Sequence, residues 1–225
     1  MDSASTIQQV MGSDGFQSLS PQLKVAMFMG AMALISSALV TMTAFTRIVI
    51  VLSFVRRALS TQEIPPTQVI LGLSLFLTLF VMGPTMTTIE KDSVRPYLEE
   101  QISGEAAWQK GVSALQGFML LQTRKTDIAL FAKMAEIKSI STAQDTPMRV
   151  LIPAYVISEL KTAFIMGFCL YIPFILIDLV VSVILMSLGM MMMPPMVIST
   201  PFKILLFVLV DGWQLIARVL SMSFH

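Results

Sequence analysis

Apolar residues in this chain fall into long blocks, not into the alternation of a half-buried strand. Residues 25–46 carry no charge over 22 positions, and residues 67–89 carry none over 23. Beyond Lys161 the only charged residues are Asp178, Lys203, Asp211 and Arg218. A helix needs about 20 apolar residues to cross the core of a bilayer. The pattern therefore predicts four spanning candidates, at 25–46, 67–89, 162–185 and 196–217.

Residues 90–161 contrast with these blocks, holding nine acidic and nine basic residues. Within them, Trp108, Val112, Leu115, Phe118 and Met119, then Ile128, Phe131 and Met134, recur in steps of three and four. That spacing predicts one or two amphipathic helices, with the charges on a solvated face. The expected class is all-α. It comprises a polar segment 1–22, an apolar helical hairpin 23–89, a charged helical middle region 90–161 and an apolar C-terminal hairpin 162–225. Arg47, Arg56 and Arg57 crowd the turn of the first hairpin, which the positive-inside rule places in the cytoplasm. The first residues lack a basic stretch followed by an apolar one, so they do not read as a cleavable signal.

Composition removes whole classes of function. Hydrophobic residues make up 55%, charged residues only 13%, and mean hydropathy is +0.78. A net charge of +1 offers no excess basic footprint for nucleic acid. One cysteine, Cys169, permits no intrachain disulfide, and one histidine, His225, leaves little for acid–base chemistry or a metal site. No HExxH, GxSxG or phosphate-binding glycine loop is present. Ser158 and Lys161 are the remaining nucleophile–base possibility, in a stretch better read as structural. The expectation is a protein that is not an enzyme and holds no cofactor or metal.

Three features break the picture of plain spans. Prolines at 65, 66, 84, 153, 173, 194, 195 and 201 punctuate or bound the apolar blocks, and interior proline costs a helix a hydrogen bond. Arg47, Asp178, Asp211, Glu159 and Lys203 stand in or beside apolar runs, where each charge costs about 2.5–3.5 kcal/mol at mid-bilayer. They are expected to be buried against partners, a pore or water. Glu159 and Lys203 have no obvious neighbour in sequence; some pairing between subunits is expected, the alternative being that these side chains snorkel to the membrane interface. Finally, Met190, Met191, Met192 and Met193 stand in a row between Gly189 and Pro194–Pro195, with Met186 one turn earlier. Methionine repacks around irregular shapes, and apolar constrictions close pores by dewetting. A ring of such loops would seal when empty and mould round a passing chain.

The sequence resembles the FliP family, flagellar biosynthetic proteins of the type III export gate related to injectisome proteins of the SctR type. The resemblance covers roughly residues 23–225. It rests on TAFTRIVIVLSFVRRAL at 43–59, QEIPPTQVILGLSLFLTLFVMGP at 62–84, LQTRKTDIALFAK at 121–133, IPAYVISELKTAF at 152–164, IPFILIDLVVSVILMSLGMMMMPP at 172–195 and PFKILLFVLVDGWQLI at 201–216. It implies a channel subunit of the bacterial inner membrane in the basal body, much of it above the bilayer plane. Several copies, a pentamer, would assemble with FliQ and FliR and other export-apparatus membrane proteins into a staggered helical ring. Unfolded flagellar proteins would be its substrates. It also implies that Arg124, Glu159 and Lys203 form ion pairs between subunits, and that the methionine run is the pore gasket. The rival reading is a secondary transporter with a site at broken helices, using Asp178 and Asp211 as ion ligands.

Overall fold

A computed structural model describes residues 20–61, 64–137, 143–190 and 192–224. All regular structure among them is helical: α1 Pro21–Thr41, α2 Phe45–Ala58, α3 Thr67–Val81, α4 Gly83–Ile89, α5 Arg95–Leu98, α6 Gly104–Gln122, α7 Lys125–Met134, α8 Met148–Ser187, α9 Pro195–Leu209 and α10 Gly212–Met222. A π-helical turn, Glu90–Val94, joins α4 to α5.

Three of the four predicted spans are not continuous helices. The block 25–46 breaks at residues 42–44, between α1 and α2. There the hydroxyls of Thr41 and Thr43 turn back to the carbonyls of Ser37 and Val40, and the Phe45 N–H donates to the Thr43 hydroxyl. Such bonds offer the backbone an alternative to the helical ladder. The block 67–89 bends by 57° between α3 and the helices that follow. Pro84, which has no N–H to donate, sits at the start of α4. The block 196–217 bends by 64° between α9 and α10, at Asp211, whose φ is 51°. Only 162–185 lies in one helix, and that helix is longer than expected. The 40 residues of α8 contain Pro153 and Pro173 and run straight across the 161/162 boundary between middle and C-terminal regions. By length and composition α8 is able to cross a membrane, and three spans are reached if each bent pair counts as one.

The packed centre is the short arginine-flanked helix α2 lying along the first half of α8. Ile48, Val51, Leu52, Val55 and Ala58 are buried on α2, and Val150, Leu151, Ala154, Tyr155 and Ala163 on α8. The steps of three and four on α2 place these side chains on one stripe. The phenol of Tyr155 donates to the Thr43 carbonyl at 2.9 Å, tying α8 to the break before α2. Farther along α8, Phe54 packs on Gly167, where an added Cβ would meet its ring at 2.6 Å, and Phe164 meets that ring edge-on. Within the chain Phe54 is a packing residue.

Elsewhere apolar side chains face outward. Phe76 and Phe80 of α3, Leu179 and Val183 of α8, and Val208 and Leu209 of α9 are all more than half exposed. The predicted amphipathic segment becomes α6 and α7, separated at Thr123 and Arg124. Phe118 and Met119 are buried as expected, but Trp108 and Met134 point away from the chain. Such a quantity of bare apolar surface marks a molecule built to be covered.

Gly167→Ala is expected to cost about 1–3 kcal/mol, the usual penalty for overpacking. Thermal unfolding in detergent would read it, and Phe54→Leu on top should recover part of the loss. An unchanged midpoint in Gly167→Ala would contradict the close approach.

Candidate functional site

Arg47 enters the core from the first turn of α2 and is 2% exposed. A guanidinium carries five N–H donors and no acceptor, and here each donor has a partner. Nε donates to Glu159 Oε2 at 2.9 Å, and Nη2 to Glu159 Oε1 at 2.5 Å. Nη2 also donates to Gln122 Oε1 at 3.1 Å. Nη1 donates to the carbonyl and hydroxyl of Ser223 at 2.8 and 3.0 Å. The guanidinium carbon lies 3.8 Å from the centre of the Phe224 ring, and that ring stacks on Phe118. Gln122 completes the junction by donating to the Phe224 carbonyl. One side chain thus joins α2, the end of α6, the middle of α8 and the residues after α10.

A second buried cation sits at the far end of α2. Lys203 on α9 is 1% exposed. Its ammonium donates to Asp178 Oδ2 and to the Ser60 hydroxyl, both at 2.6 Å. Ser199 donates to the other Asp178 oxygen at 2.6 Å. This pair fixes α9 against α8.

A third cluster holds α7. The Ser158 hydroxyl accepts from the Arg124 N–H and donates to Asp127 Oδ2. The Arg124 guanidinium reaches Thr162 Oγ1 at 3.4 Å. Ser158 is therefore committed to α7, and Lys161 is exposed, so no Ser–Lys chemistry is assembled. Among the described residues, no buried side-chain nitrogen or oxygen lacks a hydrogen-bond partner.

These contacts correct two expectations. Glu159 and Lys203 do not lack partners within the chain: Glu159 is held by Arg47 and Lys203 by Asp178. Sequence distance hid both, since Arg47 and Glu159 stand 112 residues apart. Of the charges expected to be buried, Arg47 is, while Asp178 keeps 31% of its side chain accessible and Asp211 is exposed. Asp211 lies at the α9–α10 bend beside Trp213 and Gln214, and Asp178 is occupied by Lys203 and Ser199. Among the described residues no group of three acidic, histidine or cysteine side chains is placed to hold a metal ion.

The methionine segment is shaped by the end of α8. Gly189 has a φ of 78°, the left-handed region glycine enters without a Cβ penalty. Its N–H donates to the Met186 carbonyl, and the Met190 N–H donates to the Leu185 carbonyl. These two bonds are the paired closure that ends helices at a left-handed glycine. Pro194 and Pro195 then start α9. Between these stops the chain projects outward: Met192 is 99% exposed, and Met186, Met190 and Met193 also face out. Met191 lies outside the described residues. Gly189, Met190, Met192, Met193 and Pro194 line one open, apolar hollow.

Sequence reasoning missed the hub role of Arg47 and the parts played by Gln122, Ser223 and Phe224. One signal was available, an arginine inside an apolar run that also required a buried acid. Arg47→Ala is expected to cost about 3–5 kcal/mol, because it leaves Glu159 buried without its counter-charge. Arg47→Lys keeps the charge but not the fork, and should fall between Arg47→Ala and wild type. Protease resistance of the membrane-inserted chain measures the order; equal resistance in all three would contradict the hub.

Comparison with known proteins follows the same lines. Residues 28–220 match the family model described as the FliP family. The flagellar biosynthetic protein FliP of Pectobacterium carotovorum is 51% identical over 94% of this chain and 82% of its own length. FliP of Bacillus subtilis is 47% identical over 96% of this chain and 97% of its own. FliP of Buchnera aphidicola subsp. Baizongia pistaciae is 50% identical over 95% of this chain, which spans 59% of that relative.

Proposed function

The chain belongs to the FliP family, and from that premise we propose that it is a pore-forming subunit of the flagellar type III export gate. The coarser statement stands without the proposal: it is a membrane-associated component of the flagellar export apparatus, not an enzyme. The finer reading places several copies, a pentamer, in a staggered ring with FliQ and FliR in the bacterial inner membrane. Unfolded flagellar proteins pass through the ring, and other components supply the energy.

The observation that carries this reading is the methionine segment. The apolar loop at the end of a 40-residue helix leaves Met192 almost fully bare and turns Met186, Met190 and Met193 outward. In a ring, copies of Met186 and Met190–Met193 converge into an apolar, deformable constriction. The bare faces of α3, α8 and α9 supply the surface that neighbouring subunits and lipid cover. A ring uses heterologous contacts, one face of a subunit meeting a different face of the next. Arg124 fits the intersubunit role, since among the described residues its guanidinium has a single long contact. Glu159 and Lys203 set register indirectly, by fixing the hairpins that present those faces.

Replacing Met190–Met193 with serine is expected to raise ion leakage through assembled gates in growing cells, with complex levels unchanged. The rate of membrane depolarisation reports it. Wild-type tightness at normal complex levels would overturn the gasket.

A further inference from the structure

The four charges beyond Lys161 divide into two pairs of different kinds. Asp178 and Lys203 neutralise each other inside the chain. Asp211 and Arg218 do not: both are exposed, and neither makes a hydrogen bond or ion pair through its side chain among the described residues. Their surroundings are apolar. Val208, Leu209, Val210, Leu215 and Met222 are all exposed nearby. An unmatched charge on such a face costs about 2.5–3.5 kcal/mol at mid-bilayer, so a covered α10 needs a counter-charge for each.

Asp211 stands at the bend just before α10 and Arg218 in its second turn, seven positions on, which sets them about 10 Å apart along the helix axis. That separation offers an acid at one end of the face and a base at the other. A second copy of the same chain matches such a face without any further component.

The seat at Asp211 also has the shape and chemistry for a guanidinium. Its hollow is lined by Phe207, Val208, Gly212, Trp213 and Gln214, with Phe207 and Trp213 meeting edge-to-face at 5.2 Å. A carboxylate beside an indole satisfies arginine twice, by forked hydrogen bonding and by stacking on the ring. The backbone holds the carboxylate in place: the Asp211 N–H donates to the Val208 carbonyl, and its own carbonyl accepts from the Leu215 N–H.

We infer that the Asp211–Trp213 hollow receives Arg218 from a neighbouring copy of the chain, in a head-to-tail contact between α10 helices. The contact rests on the ring reading, because a head-to-tail contact leaves a cation and an acid open at the ends until the ring closes. An antiparallel pair of α10 helices would instead satisfy both charges within a dimer.

The test uses the gate complex purified with its membrane partners, in a Cys169→Ala background. Asp211→Cys and Arg218→Cys placed together in one chain should give, on oxidation, a ladder of covalent multimers larger than dimers. Neither single cysteine should do so. Separately, Asp211→Arg or Arg218→Asp should each lower the yield of intact complex by about tenfold, as for a close charge pair across an interface, and the double exchange should restore it. Complexes of normal size without cross-links, or cross-linking that stops at dimers, would overturn the contact while leaving the ring intact. Normal yield in Asp211→Asn and Arg218→Gln would also overturn it, assigning the two charges to headgroups or water. Absence of any multimer of the wild-type chain in the complex would overturn the ring reading itself.

Discussion

A guanidinium among apolar helices is tolerable only when every N–H has an acceptor, and Arg47 meets that condition with five contacts from three other parts of the chain. The constraint propagates. Glu159 must lie on the face of α8 turned toward α2. Gln122 must end α6 at the same point, and residues 223–224 must fold back after α10. The ion pair itself adds little net stability, since desolvation offsets most of its Coulomb energy. Its effect is on specificity. A slip of one turn between α2 and α8 would leave two buried charges unmatched, so one packing register is selected.

Lys203 repeats the arrangement at the other end of α2. Bound to Asp178 and Ser60, it pins the C-terminal hairpin to the same scaffold. Between the two buried cations the subunit is packed and apolar inside. Beyond them its outer faces are also apolar. The methionine segment belongs to this outer part. Gly189 and the Pro194–Pro195 pair define its ends, so a firm scaffold carries a soft loop. That combination is what the proposed gasket would require.

The all-helical class was legible in the blocks of apolar residues, and the FliP resemblance was legible in the motifs that now frame the packed centre. Helix ends were less so. The break at 42–44 arises from threonine hydroxyls competing for carbonyls, which hydropathy does not weigh. The bend at Asp211 depends on one left-handed residue that its sequence neighbours do not announce. Pairing was the least legible. Arg47, Glu159, Asp178 and Lys203 were each recognisable as costly charges, but their partners lie 25 to 112 residues away. Only the folded chain shows that the cost is met internally, leaving Asp211 and Arg218 as the charges of the C-terminal region unmatched among the described residues.

The central claim, that the methionine segment lines the path of an exported chain, is tested most directly by site-specific photo-cross-linking in an assembled gate holding a stalled flagellar substrate. A photoreactive residue at Met192 should form adducts with the substrate, and one at Trp108, on the outer face of α6, should not. Absence of substrate adducts at Met192 in gates shown to be occupied would contradict the account.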